Sequence, residues 1–240
     1  MATFVLIHGS WHGGWCFDAV RDVLEAAGHC VIAPDLPGMG GDEAALAAVT
    51  LKGWATFSAD LCRNAPQRPV ILAGHSRGGL VISQAAEAAP QAIDTLVYIC
   101  AMMLPDGMSR AEFKTLEESN PAFDALISPT TGGHGTRIIG AGAGAVFAQL
   151  SPPDLVDQAM ARLVAEPHGP RSTPLHLTPE RFGRVPRVYV ECTDDRTIPI
   201  SSQRRMQQQV PGARVETLWA DHSPYLSRPE ALSAILLGLV

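Results

Sequence analysis

Residues 70–79, VILAGHSRGG, contain the strongest fold signal in the chain. An apolar run typical of a buried strand leads into the pentapeptide GHSRG, and a helical pattern begins directly after it. Glycines on both sides of Ser76 allow the close backbone approach that a sharp turn from strand to helix requires. A serine at such a turn is exposed and faces the positive end of the helix dipole. The stretch therefore predicts an α/β fold with Ser76 as a nucleophile, rather than a serine that only caps a helix.

Five further apolar runs of the same kind lie on either side of this stretch. Their apolar character is continuous rather than alternating, which is typical of parallel strands that are buried on both faces. The six runs span residues 4–7, 30–33, 70–73, 95–100, 187–192 and 215–219. Helical patterns lie between them at residues 15–27, 51–65, 78–89, 202–210 and 229–239. This alternation predicts a doubly wound α/β fold.

The alternation of strands and helices breaks between residues 102 and 184. This stretch contains two helical patterns, at 109–119 and 152–165, among many prolines and glycines. It comes directly after a core strand, and ligands of such folds bind at the carboxyl ends of the strands. We therefore expect one α/β domain over residues 1–240, with residues 102–184 as a cap inserted in it after the fourth strand. The glycine-rich pieces TTGGHG and GAGAG are expected to be loops, and GAGAG lacks the spacing of a dinucleotide-binding motif.

The composition excludes several classes of partner. The 240 residues carry a formal net charge of −6, so we expect no basic face for a nucleic acid. The apolar run near the amino terminus is too short for a membrane span or a signal peptide, so we expect a cytoplasmic protein with no membrane partner. The cysteines are scattered, without a C-x-x-C pair, and are expected to be buried thiols rather than metal ligands. They are Cys16, Cys30, Cys62, Cys100 and Cys192.

A serine nucleophile needs a base, and a third group must hold that base in the correct tautomer. Of the eight histidines, His222 has the expected position, since it lies in a short loop after the last predicted strand. Three aspartates compete as the acid. Either Asp194 or Asp195, after the fifth strand, satisfies the chain order serine, acid, histidine. Asp106 follows the fourth strand, whereas Asp221 is too close in sequence to His222 to orient its ring.

The developing oxyanion of an acyl-transfer reaction needs two backbone N–H donors. One is expected from Arg77, the residue after the nucleophile. The other is expected from the loop after the first strand, HGSWHGGW at residues 8–15, where we assign the N–H of Ser10. A phosphate-binding role for this loop is excluded because no Gly-Lys-Ser/Thr follows it.

These residues resemble the plant-type methylesterases and hydroxynitrile lyases of the α/β-hydrolase superfamily, with their bacterial esterase relatives. The matching motifs span nearly the whole chain and are FVLIHGSWHGGWCF (4–17), LEAAGHCVIAPDLPG (24–38), VILAGHSRGG (70–79), SPPDLVDQAMARLV (151–164), ERFGRVPRVYVECTDDRTIP (180–199) and ADHSPYLSRPEAL (220–232). The resemblance implies a core of six parallel strands. It also implies that Asp195 is the acid, because the family pattern C-T-x-D-x-x-I-P has its aspartate there.

The resemblance covers two reactions, which two positions distinguish. The lyases have a threonine after the loop histidine and a lysine after the catalytic histidine, and that lysine stabilises the departing cyanide. Here Gly9 and Ser223 occupy these positions. The residues thus favour a serine esterase that hydrolyses small carboxylic esters through Ser76, His222 and Asp195 and an acyl-enzyme. Cyanohydrin cleavage and a non-catalytic small-molecule receptor on the same fold stay as alternatives.

The remaining expectations concern the ligand and its pocket. No metal and no cofactor are required by this chemistry. The resemblance leaves a homodimer open, and it does not identify the ester. Apolar side chains of the cap and the oxyanion loop are expected to line the pocket, and the candidates are His12, Trp15, Met102, Met103, Phe113, Phe123, Phe147 and Met160.

Overall fold

A six-stranded sheet forms the centre of the computed structural model, which describes residues 1–240. The nine strands of the chain are β1 (Thr3–Ile7), β2 (Cys30–Ile32), β3 (Val70–His75), β4 (Thr95–Ile99), β5 (Ile127–Pro129), β6 (Gly135–Ile138), β7 (Glu166–Pro167), β8 (Arg187–Cys192) and β9 (Ala213–Leu218). The large sheet has the order β2-β1-β3-β4-β8-β9, and all of its neighbouring pairs are parallel. All six strands expected from the sequence are present, so the predicted fold class is confirmed.

Helices cover both faces of this sheet. They are α1 (Asp18–Ala26), α2 (Glu43–Ala48), α3 (Leu51–Arg63), α4 (Gly78–Ala88), α5 (Arg110–Lys114), α6 (Pro121–Asp124), α7 (Ala143–Phe147), α8 (Pro153–Ala161), α9 (Gly169–Ser172), α10 (Ile200–Gln209), α11 (Pro224–Ser227) and α12 (Pro229–Leu237). Alternate residues of a strand point to opposite faces. On β1, Val5 and Ile7 belong to one large apolar cluster and Phe4 and Leu6 to the other. Two apolar faces explain the continuous apolar runs.

Residues 100–186, between β4 and β8, contain five short helices and a second sheet. Strands β5, β6 and β7 form this antiparallel three-stranded sheet, which the sequence analysis did not predict. The two helices expected here are shorter than the pattern suggested. Helix α5 begins at a capping box between Ser109 and Glu112 and ends at Lys114, and α8 stops at Ala161. Residues 130–134 of TTGGHG form the β5–β6 turn and Gly135 begins β6, whereas the last two residues of GAGAG belong to α7.

None of the helices combines the length and the apolar character that crossing a bilayer would demand.

Candidate active site

Ser76 lies at the sharp turn between β3 and α4. Its φ angle is +53°, in the left-handed region that non-glycine residues rarely adopt. A Cβ atom on Gly74 would lie 2.7 Å from the carbonyl group of Gly78, and one on Gly78 would lie 2.6 Å from the carbonyl oxygen of Ile7. Only glycine fits at either position, because the backbones of strand, helix and first loop meet there. The turn thereby presents the Ser76 hydroxyl above the carboxyl end of the sheet.

A hydrogen-bonded line connects Ser76 with His222 and Asp195. The Ser76 hydroxyl donates to Nε2 of His222 at 3.0 Å, and Nδ1–H of His222 donates to Oδ2 of Asp195 at 2.7 Å. The other carboxylate oxygen, Oδ1, accepts from the N–H groups of Thr197 at 2.7 Å and Ile198 at 2.8 Å. The whole line is buried. Such a chain can move a proton from the hydroxyl to the imidazole and hold the ring in one tautomer.

The candidates Asp194 and Asp106 and the neighbouring Asp221 do not hydrogen-bond to the His222 ring. The Asp194 carboxylate accepts from a neighbouring threonine hydroxyl, and its side chain lies at the surface. The Asp106 carboxylate accepts a backbone N–H of the segment before β8. Asp221 is fully buried, but its carboxylate bonds to the helix that follows and to the N–H of Leu150. Of the four aspartates, only Asp195 bonds to the His222 ring.

His75, inside the turn, supports the base from below. Its Nε2–H donates to the carbonyl oxygen of His222 at 2.7 Å. Burial lowers the pKa of His75 well below its ordinary value, and the nearby His222 lowers it further. The ring is therefore neutral, with its single proton on Nε2. His75, Cys100 and His222 each have one potential metal-ligand atom, and these three atoms lie within 4.8 Å of one another. Both nitrogens of His222, however, already bond to Ser76 and Asp195.

The N–H groups of Ser10 and Arg77 have no acceptor within the chain, and both residues line the pocket that contains Ser76. The orientation of the Gly9–Ser10 peptide is fixed from its other end. Its carbonyl oxygen accepts from Nδ1–H of His8 at 2.9 Å and from Nη2 of Arg77 at 3.1 Å. Two backbone N–H donors without acceptors beside one pocket are what an oxyanion site requires.

The side chain of Arg77 is itself held by a carboxylate on β7. Its Nε lies 3.0 Å from Oε1 of Glu166 on β7, and both side chains are about 95% buried, with 4% and 5% exposed. The guanidinium also stacks on Trp54 at 4.3 Å. Burial lowers the pKa of Arg77, whereas Glu166 raises it. Glu166 carried no sequence signal, because nothing local marks a partner that lies 89 positions further along the chain.

A pocket of about 560 Å³, including its open mouth, contains Ser76. Of the eight expected lining residues, Met102 and Phe123 line it. His12 and Trp15 instead line a separate cleft, where their rings stack. Met103 and Phe113 are fully buried in the core beside the sheet, Phe147 packs in a cluster with Trp11, and Met160 lies against that cluster. These six residues do not line the pocket that contains Ser76, because their side chains pack against other parts of the protein.

The pocket also contains charged side chains that the sequence analysis did not select. Its full lining is Ser10, Trp11, Ser76, Arg77, Met102, Arg110, Lys114, Phe123, Asp124, Ile127, Glu166, Arg171, Thr197 and Ile198. The spacing of the charged residues among them does not differ from that of ordinary surface residues. No sequence pattern therefore marks them as pocket residues.

Buried histidines near the site make stability depend on pH. Burial lowers the pKa of His12 to about 4 and that of His8 to about 3. Between pH 6.5 and 4 only the unfolded chain binds these protons, so the free energy of unfolding decreases as the pH falls and is fully present above 6.5. For His12 the expected loss is on the order of 3 kcal/mol. Urea unfolding at pH 7 and pH 4.5 measures it, and His12→Phe should show a smaller difference. An equal loss in the variant would contradict the assignment.

Comparison with known proteins agrees with this geometry. The sequence model described as the alpha/beta hydrolase family matches residues 4–235. The chain belongs to this family. The α/β-hydrolase fold accounts for the sheet order, the turn that holds Ser76 and the position of His222 after the last strand.

Individual relatives within the α/β-hydrolase family are similar over nearly the whole chain. A pyrethroid hydrolase of Sphingobium wenxiniae is 34% identical over 97% of this chain and 85% of its own length. Salicylic acid-binding protein 2 of Nicotiana tabacum is 34% identical over 98% of this chain and 96% of its own. The crystal structure of a pyrethroid hydrolase from Sphingobium faniae superimposes with a TM-score of 0.87, at 32% identity over 99% of this chain and 96% of that one.

Proposed function

We propose that this carboxylic ester hydrolase acts through Ser76, with His222 as the base and Asp195 as the group that orients it. The observation that carries the proposal is the buried line of hydrogen bonds from Asp195 through His222 to Ser76, next to the N–H groups of Ser10 and Arg77 that have no acceptor. A hydroxyl is a weak nucleophile unless a base takes its proton. The pyrethroid hydrolase among the relatives supports an ester as the substrate.

The reaction follows from the positions of these atoms. Ser76 Oγ attacks the ester carbonyl carbon while Nε2 of His222 takes its proton, and the N–H groups of Ser10 and Arg77 stabilise the tetrahedral oxyanion. His222 then gives the proton to the leaving alcohol, and an acyl-enzyme remains on Ser76. Water, deprotonated by His222, attacks this ester and releases the acid. Each oxyanion donor contributes roughly a hundred- to a thousandfold in rate.

Ester hydrolysis fits the site better than cyanohydrin cleavage. A Cβ atom on Gly9 would lie 2.8 Å from Cβ of Ser76, so a threonine does not fit here without a shift of the turn. Ser223 is fully buried, and its hydroxyl bonds to that of Tyr225 at 3.2 Å. This position thus offers no cation to a departing cyanide. Residues 102–184 act as the cap of this site, since eight of the 14 residues that line the pocket lie within this range.

Labelling with a fluorophosphonate probe tests the proposed nucleophile. We expect the wild-type protein to be labelled at one position, identified by mass spectrometry as Ser76, and to hydrolyse aryl and methyl esters. In the same panel mandelonitrile should release no cyanide. Cyanide release at a rate comparable with ester hydrolysis would establish the lyase instead. A protein that is neither labelled nor active on any ester would be a receptor.

A further inference from the structure

The pocket beside Ser76 has an unusual charge for a site that takes small neutral esters. Four basic and two acidic side chains line it. Three of the basic side chains have a carboxylate partner. Arg77 pairs with Glu166, Lys114 pairs with Asp124 at 2.9 Å, and Arg110 pairs with Glu117 at 2.8 Å, where the Arg110 side chain is 12% exposed.

Arg171 is the exception among the four. Its guanidinium makes no ion pair and no hydrogen bond within the chain, although the residue is partly buried and lines the pocket. It lies on α9, which packs against α5, the helix of Arg110. Both residues line the same pocket. Burial lowers the pKa of Arg110, Glu117 raises it and Arg171 lowers it again.

Two like charges in a partly enclosed pocket repel each other, and the attraction of a bound anion to both of them offsets this repulsion. Nη1 of Arg110 is buried without a hydrogen-bond partner. Planar guanidinium groups bind carboxylates through paired, charge-assisted hydrogen bonds. A substrate anion at this end of the pocket would therefore neutralise Arg171, the cation that the chain itself leaves unpaired.

We propose that the preferred substrate is an ester that also carries an ionised carboxylate. This carboxylate binds to Arg171 beside Arg110 while the ester group lies at Ser76. A half ester of a dicarboxylic acid is the simplest member of this class. The inference rests on the proposed ester hydrolysis at Ser76. It adds that charge selects the substrate, whereas the apolar pocket residues only accommodate the connecting chain.

Matched pairs of esters test the selection. Monomethyl adipate and its neutral amide, methyl adipamate, have nearly the same shape and differ by one charge, and shorter and longer homologues vary the reach. Methanol release should give a kcat/KM at least about tenfold higher for the acid than for the amide at the best chain length, with the difference mainly in KM. Preference for 4-acetoxybenzoate over 4-acetoxybenzamide would place the anion on the alcohol side. Equal or faster hydrolysis of the amide in every pair would overturn the proposal.

Variants separate Arg171 from the overall charge. Arg171→Gln should bring the ratio of the two kcat/KM values close to one. Arg137→Gln removes the same charge from an exposed position on β6 and should leave the ratio as in the wild type. If Arg171→Gln keeps the wild-type preference, the anion binds elsewhere and the assignment is wrong.

Binding distinguishes failure of this inference from failure of the proposed function. In Ser76→Ala, which cannot turn the ester over, calorimetry should give a Kd for monomethyl adipate about tenfold below that of methyl adipamate. The additional Arg171→Gln substitution should remove this difference. A charge-dependent Kd without hydrolysis by the wild type would contradict the esterase and keep the anion site. Hydrolysis of both esters with equal Kd values would do the reverse.

Discussion

Ser76→Ala should lower kcat for p-nitrophenyl acetate by roughly a millionfold, because the first bond of the proposed reaction forms at the Ser76 hydroxyl. The residual rate would come from the Ser10 and Arg77 donors, which stabilise the oxyanion of an ester attacked directly by water. Substrate binding should change little. The Ser76 hydroxyl bonds to His222 and is not needed to hold the ester before the reaction starts.

Ser201→Ala is the matched control for this experiment. Ser201 lies exposed at the start of α10 and makes no hydrogen bond to the His222 ring. Loss of its hydroxyl should therefore leave kcat within about twofold of the wild-type value. Circular dichroism should give the same spectrum for both variants and the wild type. Turnover by Ser76→Ala above about one per cent of the wild-type value would rule out the serine as nucleophile.

Much of this site could be predicted from the sequence because its signals are local. The turn around Ser76 needs glycines within two positions on either side, and the acid and base follow recognisable strands. Each strand of the large sheet is an apolar run that both faces of the sheet demand. These requirements act over a few residues and so leave a pattern that can be recognised.

The pocket could not be predicted because its residues come together from separate parts of the fold. Glu166 and Arg171 belong to elements of two and four residues, too short for a periodic signal. Phe147 and Met103 show the converse. Both are apolar residues expected to line the pocket, but they pack in apolar clusters of the protein, and only tertiary packing decides between core and pocket.

Asp195→Asn should lower kcat/KM by about ten-thousandfold, whereas Asp194→Asn should change it less than about twofold. The two side chains are adjacent in sequence and have opposite surroundings. The Asp194 carboxylate is at the surface, and that of Asp195 bonds to the His222 ring. The pair therefore tests the acid with the same chemical change made one position apart. A large loss in Asp194→Asn alone would reverse the assignment.

The loss expected for Asp195→Asn is large because two N–H groups fix the orientation of this side chain. Thr197 and Ile198 both donate to Oδ1, so an asparagine must place its carbonyl oxygen there and turn its NH₂ group toward Nδ1 of His222. Nδ1 must then accept, and the ring proton moves to Nε2, which faces Ser76. In that tautomer the imidazole donates to the hydroxyl and cannot take its proton, so the geometry survives while the base is lost. Thermal unfolding of Asp195→Asn should accordingly stay close to that of the wild type, and a variant that loses activity only by unfolding would contradict this explanation.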